Sequence, residues 1–352
     1  MNRINVGIIY GGKSTEHEVS IRSAKSVFEA LNKEKYNIKL INITKAGEWL
    51  LANNNEGITT LDNANSKKIS VMPSNGLMAD GEIIDIDAVL PILHGTAGED
   101  GSIQGLLELA EIPYAGCNVR SSAVCMDKDM TKRLLELKGI GVAPSIVLSY
   151  YEKDGQTYED AKEKLGVPMF IKPVNQGSSV GVSKVSDEAT FYEALDSAFS
   201  FDTKVMIESG IEGREIEVSV LGNEELFVSV PGEIVSQTDF YSYSSKYLDE
   251  SGALLNIPAK LEEETTKKIQ QIAHDTFKVL DCEGMARVDV FLTPDGKIIV
   301  NEVNTLPGFT SISMYPKLLE ASGIPYNETL DRLIELSLER YERSERLKTD
   351  IF

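Results

Sequence analysis

The chain is poor in cysteine and in positive charge, and each shortage limits the sites and partners that we expect. Only three cysteines occur in 352 residues, without the spacing of metal ligands, which favours free thiols in a reducing compartment. Lys and Arg number 35 against 55 Asp and Glu, so the formal net charge is −20. Because phosphate backbones need clustered cations, we expect no nucleic-acid partner, and any anionic ligand must meet a local group of Lys and Arg.

Long apolar runs are also missing. No stretch approaches the ~18 apolar residues that a membrane-spanning helix needs, and the N-terminus runs straight into a predicted strand, without the pattern of a signal peptide. We therefore expect a soluble, cytoplasmic protein without a membrane partner. Its hydrophobic content of 42% is ordinary for a chain with a full core, and its length predicts two or three domains.

Predicted strands and helices alternate along the N-terminal part of the chain. Apolar runs predict buried strands at 3–10, 36–43 and 88–93, with helices at 19–31 and 102–110. This alternation predicts a parallel sheet covered by helices. For the remainder we expect one helix over 120–140, strands near 169–172, 180–185 and 205–208, and helices over 261–280 and 326–346.

The most informative segment is a predicted β-hairpin near the C-terminus. Asp295-Gly296 lies between two β-branched runs, which is typical of a two-residue turn. Counting outward pairs Asp289 with Glu302 and Arg287 with Asn304, all on one face because strand side chains alternate. Like charges directly opposite each other destabilise a sheet.

A divalent cation shared with phosphates would remove that conflict, and Arg287 would suit a phosphate. The alternative is a solvated hairpin with random surface charge. The pairing depends on the turn type, so a bulge would shift it by one residue.

One motif is misleading. The segment Gly7-Ile-Ile-Tyr-Gly-Gly12-Lys13-Ser14 satisfies the P-loop pattern G-x-x-x-x-G-K-[ST]. In a working P-loop the first glycine follows the strand, so that the backbone can curl around phosphates. Gly7 instead lies within the predicted strand, and we expect no P-loop here.

Two loops after predicted strands carry polar side chains where doubly wound folds bind ligands. In the first loop, the carboxylate of Glu16 could hold a substrate ammonium; alternatively, Glu16 and Glu18 merely favour the positive end of the following helix. His94 begins the second, glycine-rich loop and is either functional or a hydrogen-bonding residue of that loop.

A third polar loop, residues 177–181, follows the strand that contains Lys172. Its small residues would let backbone N–H groups approach an anion that Lys172 also reaches, and the alternative is an ordinary β-turn. Glu208 and Glu215 could meet the amino group or ribose of a nucleotide. Residues 238–255 form a Tyr/Ser-rich loop that is long for a compact domain, and they are a candidate lid.

In their order along the chain, these pieces resemble the ATP-grasp superfamily and, within it, the D-alanine–D-alanine ligases. The likeness extends over nearly the whole chain. It rests on Gly11-Gly-Lys-Ser-Thr-Glu16-His-Glu-Val-Ser20, His94-Gly-Thr-Ala-Gly-Glu-Asp-Gly-Ser-Ile-Gln-Gly105, Met126-Asp-Lys128, Lys172-Pro-Val-Asn-Gln-Gly-Ser-Ser-Val-Gly181, Lys246-Tyr247, Arg287-Val-Asp289 and Asn301-Glu-Val-Asn-Thr-Leu-Pro-Gly-Phe-Thr-Ser311.

The resemblance implies an α/β ATP-grasp fold of three α/β domains, with an N-terminal Rossmann-like parallel sheet and the nucleotide held between the central and C-terminal domains. The expected domains are 1–118, 119–208 and 209–352, with the lid at 238–255. The implied activity is ATP-dependent ligation of two D-alanine molecules through D-alanyl phosphate, for peptidoglycan precursor synthesis. A D-Ala–D-Ser ligase or another ATP-grasp carboxylate–amine ligase is the alternative.

The resemblance also implies how ATP and metal are held. Two Mg²⁺ ions, which Mn²⁺ could replace, would be bound by Asp289, Glu302 and Asn304. A monovalent cation such as K⁺ and a homodimer are implied by the same analogy. The residues that would bind ATP are Lys128, Lys172, Glu208, Ile211, Glu215, Lys246 and Phe291.

For the amino-acid substrates, the resemblance implies that Glu16 takes the ammonium of the first D-alanine and is linked to Ser178 and Tyr247. Arg287 and the N–H of Gly308 would stabilise the tetrahedral oxyanion. His94 or a substrate oxygen would deprotonate the second amino group.

Ser313 and Met314 would line the second amino-acid site. Relatives that accept D-serine tend to have Arg at the position of Met314, and Lys246-Tyr247 resembles the dipeptide-forming type. Both features favour D-alanine as the second substrate.

Overall fold

The computed structural model describes residues 3–52, 58, 66–236, 253–348 and 351. None of the helices in these ranges is both long and apolar enough to cross a membrane. The strands are β1 (Ile4–Gly11), β2 (Tyr36–Ile43), β3 (Trp49–Leu51), β4 (Lys67–Met72), β5 (Gly76–Ala79), β6 (Glu82–Ile83), β7 (Ala88–Ile92), β8 (Ser145–Ser149), β9 (Met169–Pro173), β10 (Ser183–Val185), β11 (Lys204–Ser209), β12 (Arg214–Gly222), β13 (Phe227–Val228), β14 (Gly232–Ser236), β15 (Ala253–Asn256), β16 (Gly284–Leu292) and β17 (Ile298–Asn304). The helices are α1 (His17–Ala30), α2 (Ser102–Leu109), α3 (Val119–Met126), α4 (Lys128–Leu137), α5 (Tyr158–Leu165), α6 (Glu188–Phe199), α7 (Glu263–Val279), α8 (Met314–Ala321) and α9 (Tyr326–Glu345), with a 3-10 helix at Tyr150–Gly155.

The first sheet has seven strands in the order β6-β5-β4-β3-β2-β1-β7. Strand β1 pairs in parallel with β2 and with β7, as the alternating pattern predicted. The strands β3 to β6 extend the sheet in antiparallel fashion, so the prediction of a parallel sheet is right only for β2-β1-β7. The loops after β1 and β7 leave the same edge of the sheet, which brings their polar residues together.

The P-loop pattern has no P-loop structure, as expected. Gly7 pairs with Lys39 and Val89 in the middle of β1. The backbone turns only at Gly11, whose φ is +93° and where an added Cβ would lie 2.2 Å from the carbonyl oxygen of Ile43. Glycine is therefore required at that turn for steric reasons.

The second sheet is antiparallel and has four strands, in the order β10-β9-β11-β8. Strand β10 begins at Ser183, later than the predicted residue 180, because the preceding residues form a tight loop. In this loop Ser178 and Ser179 have φ of +51° and +60°, a left-handed conformation that residues other than glycine rarely adopt. Strain of this kind persists where the surroundings fix a functional loop.

The single helix predicted over 120–140 is wrong. Two helices, α3 and α4, are separated at Asp127, which has extended backbone and caps α4. Its carboxylate accepts hydrogen bonds from the N–H groups of Asp129 and Met130, both at 3.0 Å. The break places Lys128 at the first position of α4, facing the residues described below.

The third sheet follows the order β15-β14-β12-β16-β17, with β13 paired to β12. The predicted two-residue turn between β16 and β17 is wrong, because residues 293–297 form a five-residue loop closed by the bond from Thr293 N to Lys297 O at 3.0 Å. A bulge after Val300 adds one residue to β17. The pairing beyond the bulge is therefore the one that a two-residue turn would have given. Asp289 therefore pairs with Glu302, and Arg287 with Asn304, as predicted.

The hydrophobic cores cross the expected domain boundaries. Helices α3 and α4 contribute Cys125 and Leu135 to the core of the third sheet, although they precede the second sheet in sequence. Helices α8 and α9 pack with the first sheet, through Tyr315 and Leu330 among others. The division into 1–118, 119–208 and 209–352 remains a proposal, since β11 ends at Ser209 and residues 119–137 pack with the third sheet.

Two leucines on α4 test this packing. Leu135 is fully buried in the core of the third sheet, whereas Leu137 on the same helix is 81% exposed. We expect Leu135→Ala to lower the free energy of unfolding by about 2–5 kcal/mol, because it leaves a cavity. Leu137→Ala, the matched control, should change it by less than about 0.5 kcal/mol. Denaturant unfolding measures both, and equal effects would show that α4 does not pack as described.

Candidate active site

The loops from the first two sheets and the hairpin of the third meet at one cavity. Its walls come from the loop after β7, the junction of α3 and α4, the loop after β9, and β17 with the residues that follow it. The residues that line it are Glu99, Cys125, Met126, Lys128, Gly177, Glu302, Val303, Asn304 and Thr305. Residues that are far apart in the sequence thus form one polar site.

Arg287 offsets part of the negative charge on the acidic face of the hairpin. Its Nε and Nη2 donate to the two carboxylate oxygens of Asp289, each at 2.8 Å, and Nε lies 2.9 Å from Oε2 of Glu217. Burial lowers the pKa of Arg287, but Asp289 and Glu217 outweigh burial and raise it, so the guanidinium stays charged. Asn304 donates from Nδ2 to Oδ2 of Asp289 at 3.0 Å. The predicted face therefore exists, and Arg287 offsets part of its negative charge.

The donor set on this face suits a metal that is shared with phosphates. Asp289 and Glu302 pair across β16 and β17, and Asn304 lies beside them. Within the described part of the chain, no group of three or more His, Cys, Asp or Glu side chains could hold a metal ion. Two carboxylates and an amide leave most of an octahedral shell to other oxygens, as Mg²⁺ does when nucleotide phosphates and water complete it.

Lys128 and Lys172 supply positive charge next to that face. Nζ of Lys128 donates to the carbonyl of Gln176 at 2.7 Å and lies 3.9 Å from Oε2 of Glu302. Burial and the positive charge of Lys172 lower the pKa of Lys128, and Glu302 raises it. The net effect is a pKa below the ordinary value. Two buried ammonium groups that repel each other favour an anionic ligand near them.

A buried ion cluster lies behind these lysines. Glu208 is 5% exposed and accepts a hydrogen bond from Lys172 Nζ at 2.7 Å, and Lys132 Nζ forms an ion pair with its other oxygen. Burial raises the pKa of Glu208, but the two lysines outweigh burial and lower it. Lys132 was missed by the sequence analysis, although its place four residues after Lys128 puts both on one face of α4.

Glu16 and Ser178, which the resemblance links, are in contact. Ser178 donates from Oγ to the carboxylate of Glu16, which is 6% exposed. A Cβ added to Gly95, whose φ is +72°, would lie 2.6 Å from Oε2 of Glu16, so this position must leave room for the carboxylate. Burial and the charge of Glu16 raise the pKa of the nearby Glu99 above its ordinary value. A cation bound here would relieve the repulsion between the two carboxylates, so this corner of the site is suited to a cation.

His94 connects the first sheet to the loop after β17. Its Nδ1 donates to the carbonyl of Leu306 at 3.2 Å, and its Nε2 lies 3.2 Å from Oγ of Ser23, which also accepts the N–H of Phe309 at 3.4 Å. Burial lowers the pKa of His94, but Glu99 outweighs burial and raises it. Since Leu306 engages one ring nitrogen and Ser23 of α1 lies against the other, the geometry favours a positioning role for His94 over that of a base.

The residues assigned to the second amino-acid site lie just beyond that loop. Ser313 accepts from the N–H of Thr310 at 3.0 Å, and its Oγ would be 2.8 Å from a Cβ on Gly308. Gly308 therefore has no space for a side chain on that side. Met314 is 5% exposed and packs against Gly232 of β14.

The residues assigned to the nucleotide base lie farther along the same strands. Glu215 of β12 pairs with Phe291 of β16, and Phe291 is two residues from Asp289, hence on the same face. Ile211 lies between β11 and β12. Lys246 and Tyr247 lie outside the described residues, as does the candidate lid except for its last residues, which belong to β15.

Family models match most of the chain. Residues 5–117 match the model described as "D-ala D-ala ligase N-terminus", and residues 134–335 match "D-ala D-ala ligase C-terminus". A D-alanine–D-alanine ligase from Oceanobacillus iheyensis is 50% identical, with 98% of each chain covered. D-alanine–D-alanine ligase A from Escherichia coli is 47% identical, over 99% of this chain and 100% of the relative.

Solved structures agree with this likeness. The D-alanine-D-alanine ligase from Coxiella burnetii superimposes with a TM-score of 0.89 at 40% identity, covering 98% of this chain and 97% of its own. The VanG D-Ala:D-Ser ligase from Enterococcus faecalis gives a TM-score of 0.87, also at 40% identity, over 96% and 100%. Overall similarity to these two structures therefore does not decide between D-alanine and D-serine as the second substrate.

The buried cluster predicts a pH effect on stability. The folded pKa of Glu208 is below its ordinary value of 4.5, so its contribution is complete above pH 4.5 and is lost as the pH falls toward the folded pKa. Glu208→Gln should lower the free energy of unfolding near neutral pH by about 3–5 kcal/mol, because two buried lysines lose their partner. Its stability should also fall less steeply below pH 4.5.

Denaturant unfolding at a series of pH values measures this effect. The control is Glu212→Gln, at an exposed position in the same segment, which should leave both the stability and its pH dependence unchanged. Identical acid profiles for wild type and Glu208→Gln would contradict the ion cluster.

Proposed function

The chain belongs to the D-alanine–D-alanine ligase family, and on this premise we propose that it joins two D-alanine molecules to D-alanyl-D-alanine for peptidoglycan precursor synthesis, converting ATP to ADP and phosphate. The family is ATP-dependent, and the α/β ATP-grasp fold expected from the sequence is confirmed by the comparisons. The observation that carries the proposal is that Lys128 and Glu302 line one cavity, with Glu16 close to Gly177 in its wall.

The first step activates a carboxylate. An amine cannot displace an oxygen from a free carboxylate, so the carboxylate of the first D-alanine attacks the γ-phosphorus of ATP, and ADP leaves. This gives D-alanyl phosphate. Lys128 and Lys172 are proposed to hold the phosphates, and Arg287 the transferred phosphoryl group. Positioning and charge neutralisation suffice for this reaction, and no covalent nucleophile of the protein is needed.

We propose that Asp289, Glu302 and Asn304 hold the divalent metal, as two Mg²⁺ ions that Mn²⁺ can replace. When bound, the metal neutralises the charge of the phosphate oxygens. The support is the pairing of Asp289 with Glu302, which leaves like charges facing each other unless a cation lies between them. Arg287 and Lys128 balance the pair only in part.

The first D-alanine is proposed to bind with its ammonium at Glu16. The bond from Ser178 to Glu16 fixes the carboxylate that would receive the ammonium. The second amino group then attacks the carbonyl carbon, and phosphate leaves as the peptide bond forms. Arg287 and the N–H of Gly308 would stabilise the negative oxygen of the tetrahedral intermediate.

Ser313 and Met314 are proposed to line the second amino-acid site. Met314 is apolar and buried, which suits a methyl side chain better than a hydroxymethyl group. A D-Ala–D-Ser ligase is the second candidate because the VanG enzyme has nearly the same fold similarity. Supplying D-serine in place of the second D-alanine separates the two.

Finer expectations rest on family membership. We propose a cytoplasmic location, in agreement with three free cysteines and with the use of ATP. We also propose a homodimer and activation by a monovalent cation such as K⁺. Light scattering and assays with and without K⁺ test these two expectations.

The substrate prediction concerns phosphate release. With ATP, Mg²⁺ and D-alanine we expect continuous release of phosphate, with D-alanyl-D-alanine identified by mass spectrometry. L-Alanine should give only background release, because its methyl group and hydrogen exchange places around the bound ammonium and carboxylate. No release with D-alanine, or equal release with L-alanine, would contradict the proposal.

The metal prediction concerns two carboxylates. Asp289→Asn and Glu302→Gln should each lower phosphate release by at least about 100-fold, because the charge that holds the metal is lost while the shape is kept. Circular dichroism should show an intact fold. Asp295→Asn is the matched control, since Asp295 lies in the loop of the same hairpin and its side chain is 59% exposed. Near-normal turnover of either variant would refute the assignment.

A further inference from the structure

The three cysteines of this chain are buried together behind the active-site cavity. Cys117 precedes α3, Cys125 lies in the last turn of α3, and Cys282 lies between α7 and β16. They are 1%, 4% and 4% exposed. The sulfur atoms of Cys125 and Cys282 are 3.7 Å apart, which is contact distance for two thiols. Neither the proposed reaction nor the metal site uses any of these groups.

Hydrogen bonding connects the third thiol to this pair. Burial raises the pKa of Cys117, but hydrogen bonds from Cys282, from the N–H of Glu283 and from Ser121 outweigh burial and lower it. The neighbouring thiols and burial raise the pKa of Cys282 well above its ordinary value. Cys117 itself donates from Sγ to the carbonyl oxygen of Met285 at 3.4 Å, so its thiol is engaged with the backbone.

The cysteine cluster adjoins the active-site cavity through Cys125. A buried thiol is ordinarily inert because oxidants do not reach it. Cys125 differs from the other two, because it lines the active-site cavity together with Lys128 and Glu302. A small molecule that enters this cavity meets Cys125, whose sulfur is in contact with that of Cys282.

We propose that Cys125 and Cys282 are an oxidative modification site at which a hydroperoxide forms a disulfide. The sulfur of Cys125 attacks the peroxide, the O–O bond breaks, and a sulfenic acid and water form for hydrogen peroxide. The sulfur of Cys282 then attacks that of Cys125, the S–O bond breaks, and the departing hydroxide takes the proton of Cys282 and leaves as a second water. Two thiols lose two electrons and two protons, and the peroxide is reduced to two waters.

The modification acts on the active site through α3. Forming the bond shortens the sulfur–sulfur distance from 3.7 Å to about 2 Å. The sulfur of Cys125 is drawn away from the cavity wall, and the end of α3 moves with it. Lys128 begins the next helix, only three residues after Cys125, so its ammonium is displaced from the phosphate position. We therefore expect ATP turnover to fall when the bond forms.

The experiment uses the full-length native protein and hydrogen peroxide. After treatment, free thiols are blocked with N-ethylmaleimide and non-reduced peptides are mapped by mass spectrometry. We expect one cross-link, between Cys125 and Cys282, and a fall from three free thiols to one in the denatured protein. Phosphate release should fall several-fold, and dithiothreitol should restore both thiols and turnover.

Two variants sharpen the result. Cys282→Ala should form no cross-link and should resist reversible inactivation, whereas Cys117→Ala should still form the cross-link. Three free thiols after treatment, a cross-link that involves Cys117, or stable oxidation of Cys125 to sulfinic acid would overturn the proposal. An unchanged turnover of the cross-linked protein would overturn the coupling to the active site. The peptide map is independent of ligase activity, so a failure here is distinct from a failure of the proposed function.

Discussion

The pairing of Asp289 with Glu302 is the constraint on which the site depends. Two carboxylates opposite each other on neighbouring strands, with Cβ atoms roughly 5 Å apart, repel unless cations lie near them. The protein supplies part of that charge, through Arg287 on the same strand and Lys128 at the start of α4. A bound metal ion would supply the rest of the positive charge. A chain with a net charge of −20 thus places Arg287 and Lys128 where an anionic ligand is expected.

Long-range contacts hold the other parts of the site to this hairpin. His94 and Ser23 bind the loop after β17 to the first sheet, and Ser178 binds the loop of the second sheet to Glu16. Each of these contacts joins residues from different sheets. Helices α3, α4, α8 and α9 pack against sheets distant in sequence, which makes the cores continuous across the expected domains. The geometry of the active site therefore depends on packing between segments that are distant in the sequence.

Local sequence patterns predicted much of this structure. Contacts between residues that are distant in the sequence were mostly not predicted. Alternation placed β1, β2 and β7 correctly because buried strands have a strong pattern. The pairing of Asp289 with Glu302 was predicted correctly although the turn was wrong, because a longer loop and a bulge compensate. The antiparallel strands β3 to β6 are short and carry weak patterns. The roles of Ser23, Lys132 and Glu217 arise from partners far away in sequence, which periodicity cannot reveal.

Nucleotide binding in the presence and absence of Mg²⁺ tests the central claim most directly. Calorimetric titration of the full-length protein with a non-hydrolysable ATP analogue measures the affinity without turnover. If Asp289 and Glu302 hold a metal that is shared with the phosphates, Mg²⁺ should strengthen binding to wild type, and Glu302→Gln should lose most of that gain. Equal affinity with and without Mg²⁺, or an unchanged gain in Glu302→Gln, would contradict the account.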